Sequence, residues 1–245
     1  IRWAVSFHRR GLREQFVRPD SAGMKHGRKF LGGGTFSGNG DVTRYRAEWS
    51  GWWIDYDVEE LRRLGNLLPP IATFDGPKIA ICQNGRTVRA AFDDQSLVLK
   101  DTLLCGRLQP RDHPLLSQPR ALVGLLCSRA VHFYYSHVFH GGHVNGGYLH
   151  FLRSFLNDVP VGEWSEAAAA RMAELVERRE AQGLGAAALG LEAEIDLLVE
   201  AALGLSEAQC REIAAWAACD ENWIGRDRTR RSARMMDSAH ADSSS

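Results

Sequence analysis

The sequence predicts an α+β protein: a mixed, mostly antiparallel sheet with a helix packed on it, followed by a C-terminal helical section. Three observations predict it. Short runs of β-branched and aromatic residues broken by turn signals occupy residues 42–105. The apolar period then changes from two to between three and four over residues 119–137, and helical periodicity with recognisable caps fills the stretch from Ser165 to about residue 218.

Residues 1–40 are basic and Gly-rich and read mostly as loop. From Val42 to Tyr56 aromatics crowd the chain, with Tyr45, Trp49, Trp52, Trp53 and Tyr56, and two short strands fit there. Residues 57–66 read as a helical turn or two ending near Gly65, and Pro69-Pro70 force an extended segment after it. The runs Pro77–Cys82 and Thr87–Phe92 flank Asn84-Gly85, which predicts a hairpin closed by a type I′ turn. Ser96–Lys100 and Thr102–Cys105 continue it as an antiparallel meander. Leu122, Leu125, Leu126, Ala130, Phe133 and Tyr134 then form one apolar face of a single helix that packs on the sheet.

Three helices follow. Ser165 caps the first, which carries Ala168, Met172, Leu175 and Val176 on one face and ends at Gly183 or Gly185. The second runs from about Leu191 through Ile195, Leu198 and Ala202 to Gly204. The third opens on the capping box Ser206-Glu207-Ala208-Gln209 and buries Ile213, Ala214 and Trp216. The organisation expected is therefore an entry segment at 1–40, a central domain at 41–162, a helical section at 163–220 and a disordered, basic then Ser-rich tail at 221–245.

With 44% apolar residues the chain is able to bury a real core. No window approaches 18 consecutive apolar residues and no signal-peptide core is present, so cytoplasm is the expected compartment. The chain starts at Ile1 and not Met, as a fragment with its catalytic domains upstream would. Five cysteines in apolar contexts form no C-x-x-C pair and read as buried thiols. The net charge of zero hides an asymmetry. Residues 1–150 hold 20 Lys and Arg against 13 Asp and Glu, and residues 151–245 hold 10 against 17. Clustered cations bind phosphate by releasing counterions, so the first part is the portion expected on DNA.

Several chemistries fail on their own spacing. Phe36-Ser37-Gly38-Asn39-Gly40 matches the F-x-G-x-G turn under S-adenosylmethionine, but no buried strand precedes it and no helix follows. The Asn/Asp-Pro-Pro-Tyr/Phe tetrapeptide that grips a flipped adenine is absent, so neither a cofactor site nor a catalytic residue is expected in this chain. His137, His140 and His143 stand at three-residue spacing, yet glycines make the segment a loop and no H-E-x-x-H helix supplies a base. A polar or DNA-facing loop is the preferred reading over a metal-dependent hydrolase, and no metal site is expected. G-x-S-x-G is absent, and Asp75-Gly76-Pro77-Lys78 does not have nuclease spacing.

The order of pieces resembles the TaqI-like C-terminal specificity domain of adenine-N6 DNA methyltransferases and single-chain restriction-modification enzymes. Gly40-Asp41-Val42-Thr43-Arg44-Tyr45 is similar to that family's G-x-D-I-x-R-Y opening, and Trp53–Asp57 to the strand after it. Pro77–Ile81 matches its P-K-I strand, and Ala121–Tyr134 its L-L-A-L-L-N-S-K helix, with Cys127 where Asn is usual. Gly147–Val161 resembles its terminal strand, and Glu194–Val199 with Leu205–Gln209 the helices that close such chains. The resemblance spans residues 40–217. It implies a domain that grips double-stranded DNA opposite a catalytic methyltransferase domain, or a separate catalytic subunit, where S-adenosylmethionine binds and the target adenine is flipped. On that reading Lys78, Asn84, Arg86 and Arg89 lie near a hairpin tip with side chains suited to base edges, and Lys100, Arg107, Arg111 and Arg129 are candidates for phosphates.

Overall fold

The computed structural model describes residues 1–8, 11–32, 42–107, 113–139, 143–144, 148–183 and 185–224. The Phe36–Gly40 loop, Asp41, Arg111, His140, the His143 side chain and the expected tail from 225 onward lie outside the described residues. In chain order the elements are β1 (Arg2–Trp3), α1 (Leu12–Phe16), β2 (Val17–Arg18), β3 (Gly27–Leu31), β4 (Trp53–Asp55), α2 (Val58–Arg63), β5 (Lys78–Cys82), β6 (Asn84–Gly85), β7 (Ala90–Asp93), β8 (Val98–Leu99) and β9 (Leu103–Gly106). After them come α3 (Pro114–Ser117), α4 (Pro119–Cys127), α5 (Arg129–Val138), β10 (His143–Val144), β11 (Tyr148–His150), α6 (Arg153–Asn157), α7 (Glu166–Glu180), α8 (Ala186–Ala202), α9 (Glu207–Cys219) and α10 (Glu221–Ile224). The α+β class holds, but the strands divide into three sheets, ordered β1-β9-β5-β7, β2-β4-β3-β8 and β10-β11-β6.

Strand β5 shows why the layers stack as they do. Every residue of Lys78–Cys82 is buried, so the strand is covered on both faces. Ile79 and Ile81 point into a core shared with Ala121 and Leu125 of α4, Met172 and Val176 of α7 and Ile195 of α8. The alternate, smaller Ala80 and Cys82 face a second core built on Phe30, Ile54 and Val98 of the other four-stranded sheet. Helices, sheet and sheet therefore form three layers with β5 in the middle. The expected boundary between residues 162 and 163 falls inside one continuous core. Gly124 lets α7 approach α4, since a Cβ there would sit 2.4 Å from Met172 Sδ.

Several expectations change. Residues 1–32 hold more regular structure than expected, since β1, α1, β2 and β3 lie there and β3 pairs with both β4 and β8. Strand β8 leaves the anticipated meander and runs parallel to β3 in the second sheet. Between Val42 and Tyr56 one strand forms, β4, and the first half contributes only isolated bridges of Val42 to Ala47 and Tyr45 to Ala91. The single 119–137 helix breaks at Ser128, whose extended backbone (ψ 158°) and hydroxyl, accepting from Val131 N at 3.3 Å, start a new helix. That break rotates Val131 and Tyr135 inward and leaves Phe133 and Tyr134 half-buried. The C-terminal caps at Ser165 and Ser206 form as expected. Helix α8 starts at Ala186, earlier than the expected Leu191, while Ala214 and Trp216 of α9 are only half-buried.

Part of the acidic charge of the helical section lies inside the molecule. Glu192, Asp196 and Glu200, four residues apart on α8, are all buried on one face. Buried carboxylates demand partners. Arg44 Nη1 and Arg179 Nε reach Glu192 at 2.7 and 2.8 Å, and Arg129 grips Glu200 with two nitrogens at 2.6 and 3.0 Å. Asp196 accepts from Arg129 N at 2.8 Å, and burial still pushes its carboxyl up to about 6. Arg44 also donates to Cys127 O at 2.6 Å and lies 4.7 Å from the Trp223 ring centroid, so one side chain ties the start of the central domain to three helices.

Candidate nucleic-acid interface

The hairpin tip and the histidine segment, remote in sequence, are one piece of structure. Asn84 and Gly85 do not form a two-residue turn, and neither has positive φ. They make β6, paired antiparallel to β11 with His150 opposite Asn84 and Leu149 opposite Gly85. Phe151 N donates to Gln83 O at 2.7 Å and continues that pairing. Tertiary pairing has overridden the local turn preference of Asn-Gly. Glycine is required at 85 for closeness instead, because a Cβ would lie 2.8 Å from Thr87 O. The β5–β7 hairpin itself forms, but with Ile81 opposite Ala90 and not opposite Val88 as a two-residue turn at Asn84-Gly85 would set it, around a longer connection.

The small sheet is anchored from beneath. Leu149 and Phe151 enter the core, and the buried Tyr135 of α5 donates its hydroxyl to His150 O at 2.9 Å and accepts from Leu152 N at 3.2 Å. Burial pushes the Tyr135 phenol up to about 12, so it stays a neutral strut. Above this anchor, His150 Nδ1 lies 2.7 Å from Asn84 Oδ1. An amide oxygen only accepts, so Nδ1 donates in this contact and Nε2 points away from it. The Arg86 guanidinium sits 5.8 Å from the Tyr148 ring centroid, and Arg89 Nη2 donates to Asn84 O at 3.0 Å. Arg89 Nε has no hydrogen-bond partner among the described residues. A guanidinium, an amide and an imidazole thus share one short edge whose backbone is held rigidly, the donor and acceptor types that read base edges in a major groove.

The other candidates separate. Lys78 is a correction: its ammonium is buried, paired with Asp93 and donating to Phe74 O at 2.8 Å, so it ties β5 to β7 and to the turn before β5 and offers nothing to a ligand. Arg129 is a second correction, its guanidinium being committed to Glu200. Lys100 lies on the far side of the sheet, next to β1 through a bridge to Val5. Burial, followed by the effect of neighbouring charges, lowers its ammonium below the usual lysine range, with Asp101 opposing and Arg13 adding to the shift. Arg107 is exposed and donates to Ala72 O beside an apolar cavity of about 980 Å³ lined by Ile79, Leu122 and Leu125. Arg111 lies outside the described residues. His137 stacks on Phe133 at 4.1 Å and packs edge-on to Trp216 at 5.2 Å. Among the described residues no group of three His, Cys, Asp or Glu is placed to hold a metal ion, and no helix is long and apolar enough to cross a membrane.

Sequence reasoning grouped His150 with the histidine loop without bringing it and Tyr148 against Asn84-Gly85, and took Arg44 only as part of the family's opening motif. The alternation of Tyr148, Leu149 and His150, apolar between polar, is a strand signal short enough to be lost among the glycines on its N-terminal side.

No curated protein matches the sequence. Solved structures do. One is described as the structure of the type IIL restriction-modification enzyme MmeI in complex with DNA, with implications for engineering of new specificities; it superposes with a TM-score of 0.54 at 12% identity over 91% of this chain. The chain spans 35% of that protein's length. At that identity the likeness establishes the fold alone. The profile of the TaqI-like C-terminal specificity domain matches residues 35–161, which take in Arg44, both strands of the hairpin and the whole β10-β11-β6 sheet. The chain belongs to the TaqI-like C-terminal specificity domain family.

Proposed function

We propose that this chain is the DNA-recognition part of a site-specific adenine-N6 DNA methyltransferase of a restriction-modification system. Asn84, Arg86, Arg89 and His150 read base edges, and Arg107 and Arg111 are candidates for phosphate contacts away from them. Methyl transfer and S-adenosylmethionine belong to a catalytic domain elsewhere in the polypeptide or in a partner chain. One observation carries the reading: residues 84–89 and residue 150 converge on a single braced strand pair, with His150 Nδ1 2.7 Å from Asn84 Oδ1. A side chain discriminates bases only if it is held in register, and the core beneath Leu149 and Phe151 does that holding. Membership of a family of specificity domains supports the same role, as does the likeness to a restriction-modification enzyme bound to DNA.

Selection of duplexes from a random library by the full chain, followed by sequencing, tests it. Enrichment of a defined motif is expected, with Arg86→Ala degenerating one position of that motif. No enrichment, or enrichment that survives loss of both Arg86 and Arg89 unchanged, overturns the reading.

A further inference from the structure

The basic excess of this chain does not lie in the region that matches the family. Residues 1–34 hold eight Lys and Arg against two Asp and Glu, whereas residues 35–161 hold 13 against 12. The fold gathers part of that N-terminal charge on one sheet face. Trp53, the first residue of β4, stands directly opposite Arg18 of β2 on one side and Lys29 of β3 on the other. Residues opposite one another across antiparallel strands share a face. Their neighbours Val17 and Ile54 turn into the core, so this row turns outward. Trp53, unlike Trp49 and Trp52, is not packed against the hydrophobic core among the described residues.

An aromatic ring holds Lys29. Lys29 Nζ lies 4.7 Å from the Trp49 ring centroid, and Trp49 meets Trp53 edge-on at 5.1 Å. Lys29 Nζ donates to the neutral Gln95 Oε1 at 3.2 Å, and neither Arg18 nor Lys29 has a carboxylate within 4.0 Å among the described residues. Asp55, two residues from Trp53, is occupied in accepting the Lys25 and His26 backbone N–H groups at 3.3 and 2.9 Å. A cation seated on a ring loses little further freedom when it meets an anion, and Lys29 covers the Trp49 face on which an unpaired base would stack. Phosphate fits this face better than a nucleobase does.

We infer that the Arg18–Trp53–Lys29 face of β2-β4-β3 is a second DNA contact, a clamp on the duplex phosphate backbone that carries affinity without sequence preference. It rests on the proposed DNA-recognition role but is separable from it, because strands β6 and β11 set discrimination and this face sets the salt-dependent term.

The test is binding of the full chain to a labelled duplex of arbitrary sequence at several salt concentrations, alongside the motif selected above. Each cation removed should lower the slope of log affinity against log salt by about 0.9, so the gap to wild type closes about 3.5-fold per cation between about 50 and 200 mM salt. Arg18→Gln with Lys29→Gln should lower the slope by about two such steps on both duplexes and leave their affinity ratio unchanged. Lys29→Arg should restore its step, and Gln95→Lys should add one, a gain that misfolding does not produce. An unchanged slope in the double variant overturns the inference while leaving the reader intact. Loss of single-strand binding with duplex binding preserved overturns it as well, and a changed affinity ratio with an unchanged slope would assign the face to discrimination instead.

Discussion

Arg44 gives the sharpest prediction about how the molecule is held together. Its guanidinium is fully buried, pairs with Glu192 at 2.7 Å, donates to Cys127 O at 2.6 Å and lies 5.2 Å from the Tyr45 ring centroid. Arg44→Met keeps most of the volume and removes all of the charge. Breaking a buried pair by deleting one partner costs about 3–5 kcal/mol, because the other charge is left desolvated. Here Arg179 stays on Glu192 at 2.8 Å, so the carboxylate is not orphaned and the lower end, about 3 kcal/mol, applies. Glu192→Gln alone should cost a similar amount, and the double variant about 1–3 kcal/mol less than the sum. Urea unfolding followed by tryptophan fluorescence and far-UV circular dichroism measures this, with a lower midpoint, an unchanged m value and coincident transitions expected. A loss below about 1 kcal/mol, or a far-UV transition separating from the fluorescence one, would refute the claim that the helical section and the central domain share one core.

Asp196 should make stability depend on pH in the direction opposite to a salt-bridged acid. Its folded pKa of about 6 exceeds the ordinary 3.8, so the folded state holds the proton longer, and this contribution is complete below about pH 4 and is lost as pH rises through 6. The shift corresponds to about 3 kcal/mol at most. Asp196→Asn, which keeps an oxygen for Arg129 N, should therefore gain melting temperature on wild type between pH 5 and pH 7.5; a gap constant with pH argues against a raised pKa. Gly124→Val should lower stability by at least about 1–3 kcal/mol through overpacking against Met172 Sδ, and restoration by Met172→Ala in a thermal melt would show that the contact is the cause. Ser206→Ala should cost about 1 kcal/mol through loss of the capping box on α9, read from the same melts, and an unchanged melting temperature would show that α9 contributes little to the cooperative unit.

Much of the architecture was legible because periodicity and caps are local. Ser165 and Ser206 cap their helices, and the runs Pro77–Cys82 and Thr87–Phe92 pair as a hairpin. The errors arise where a distant partner decides. Asn84-Gly85 has the composition of a turn but becomes a strand because Leu149 and His150 supply a ladder to join. Val98–Leu99 reads as the next strand of a meander, yet its buried side chains and a parallel partner in Phe30–Leu31 draw it into the other sheet. Lys78 reads as a reader of bases because a lysine on a hairpin implies exposure. Covering β5 on both faces inverts that inference, and Asp93 directly across the ladder is what makes the burial tolerable. Charge counted over 150 residues was too coarse to localise the excess, which belongs almost wholly to residues 1–34.

The central claim is that sequence is read at the β6–β11 edge, and comparison of Arg86→Ala with wild type on selected and scrambled duplexes tests it most directly. A guanidinium paired with a base edge contributes about 1–3 kcal/mol of discrimination, so the variant should lose that much on the selected duplex and little on the scrambled one. Equal losses on the two duplexes would make Arg86 a phosphate contact and contradict the account.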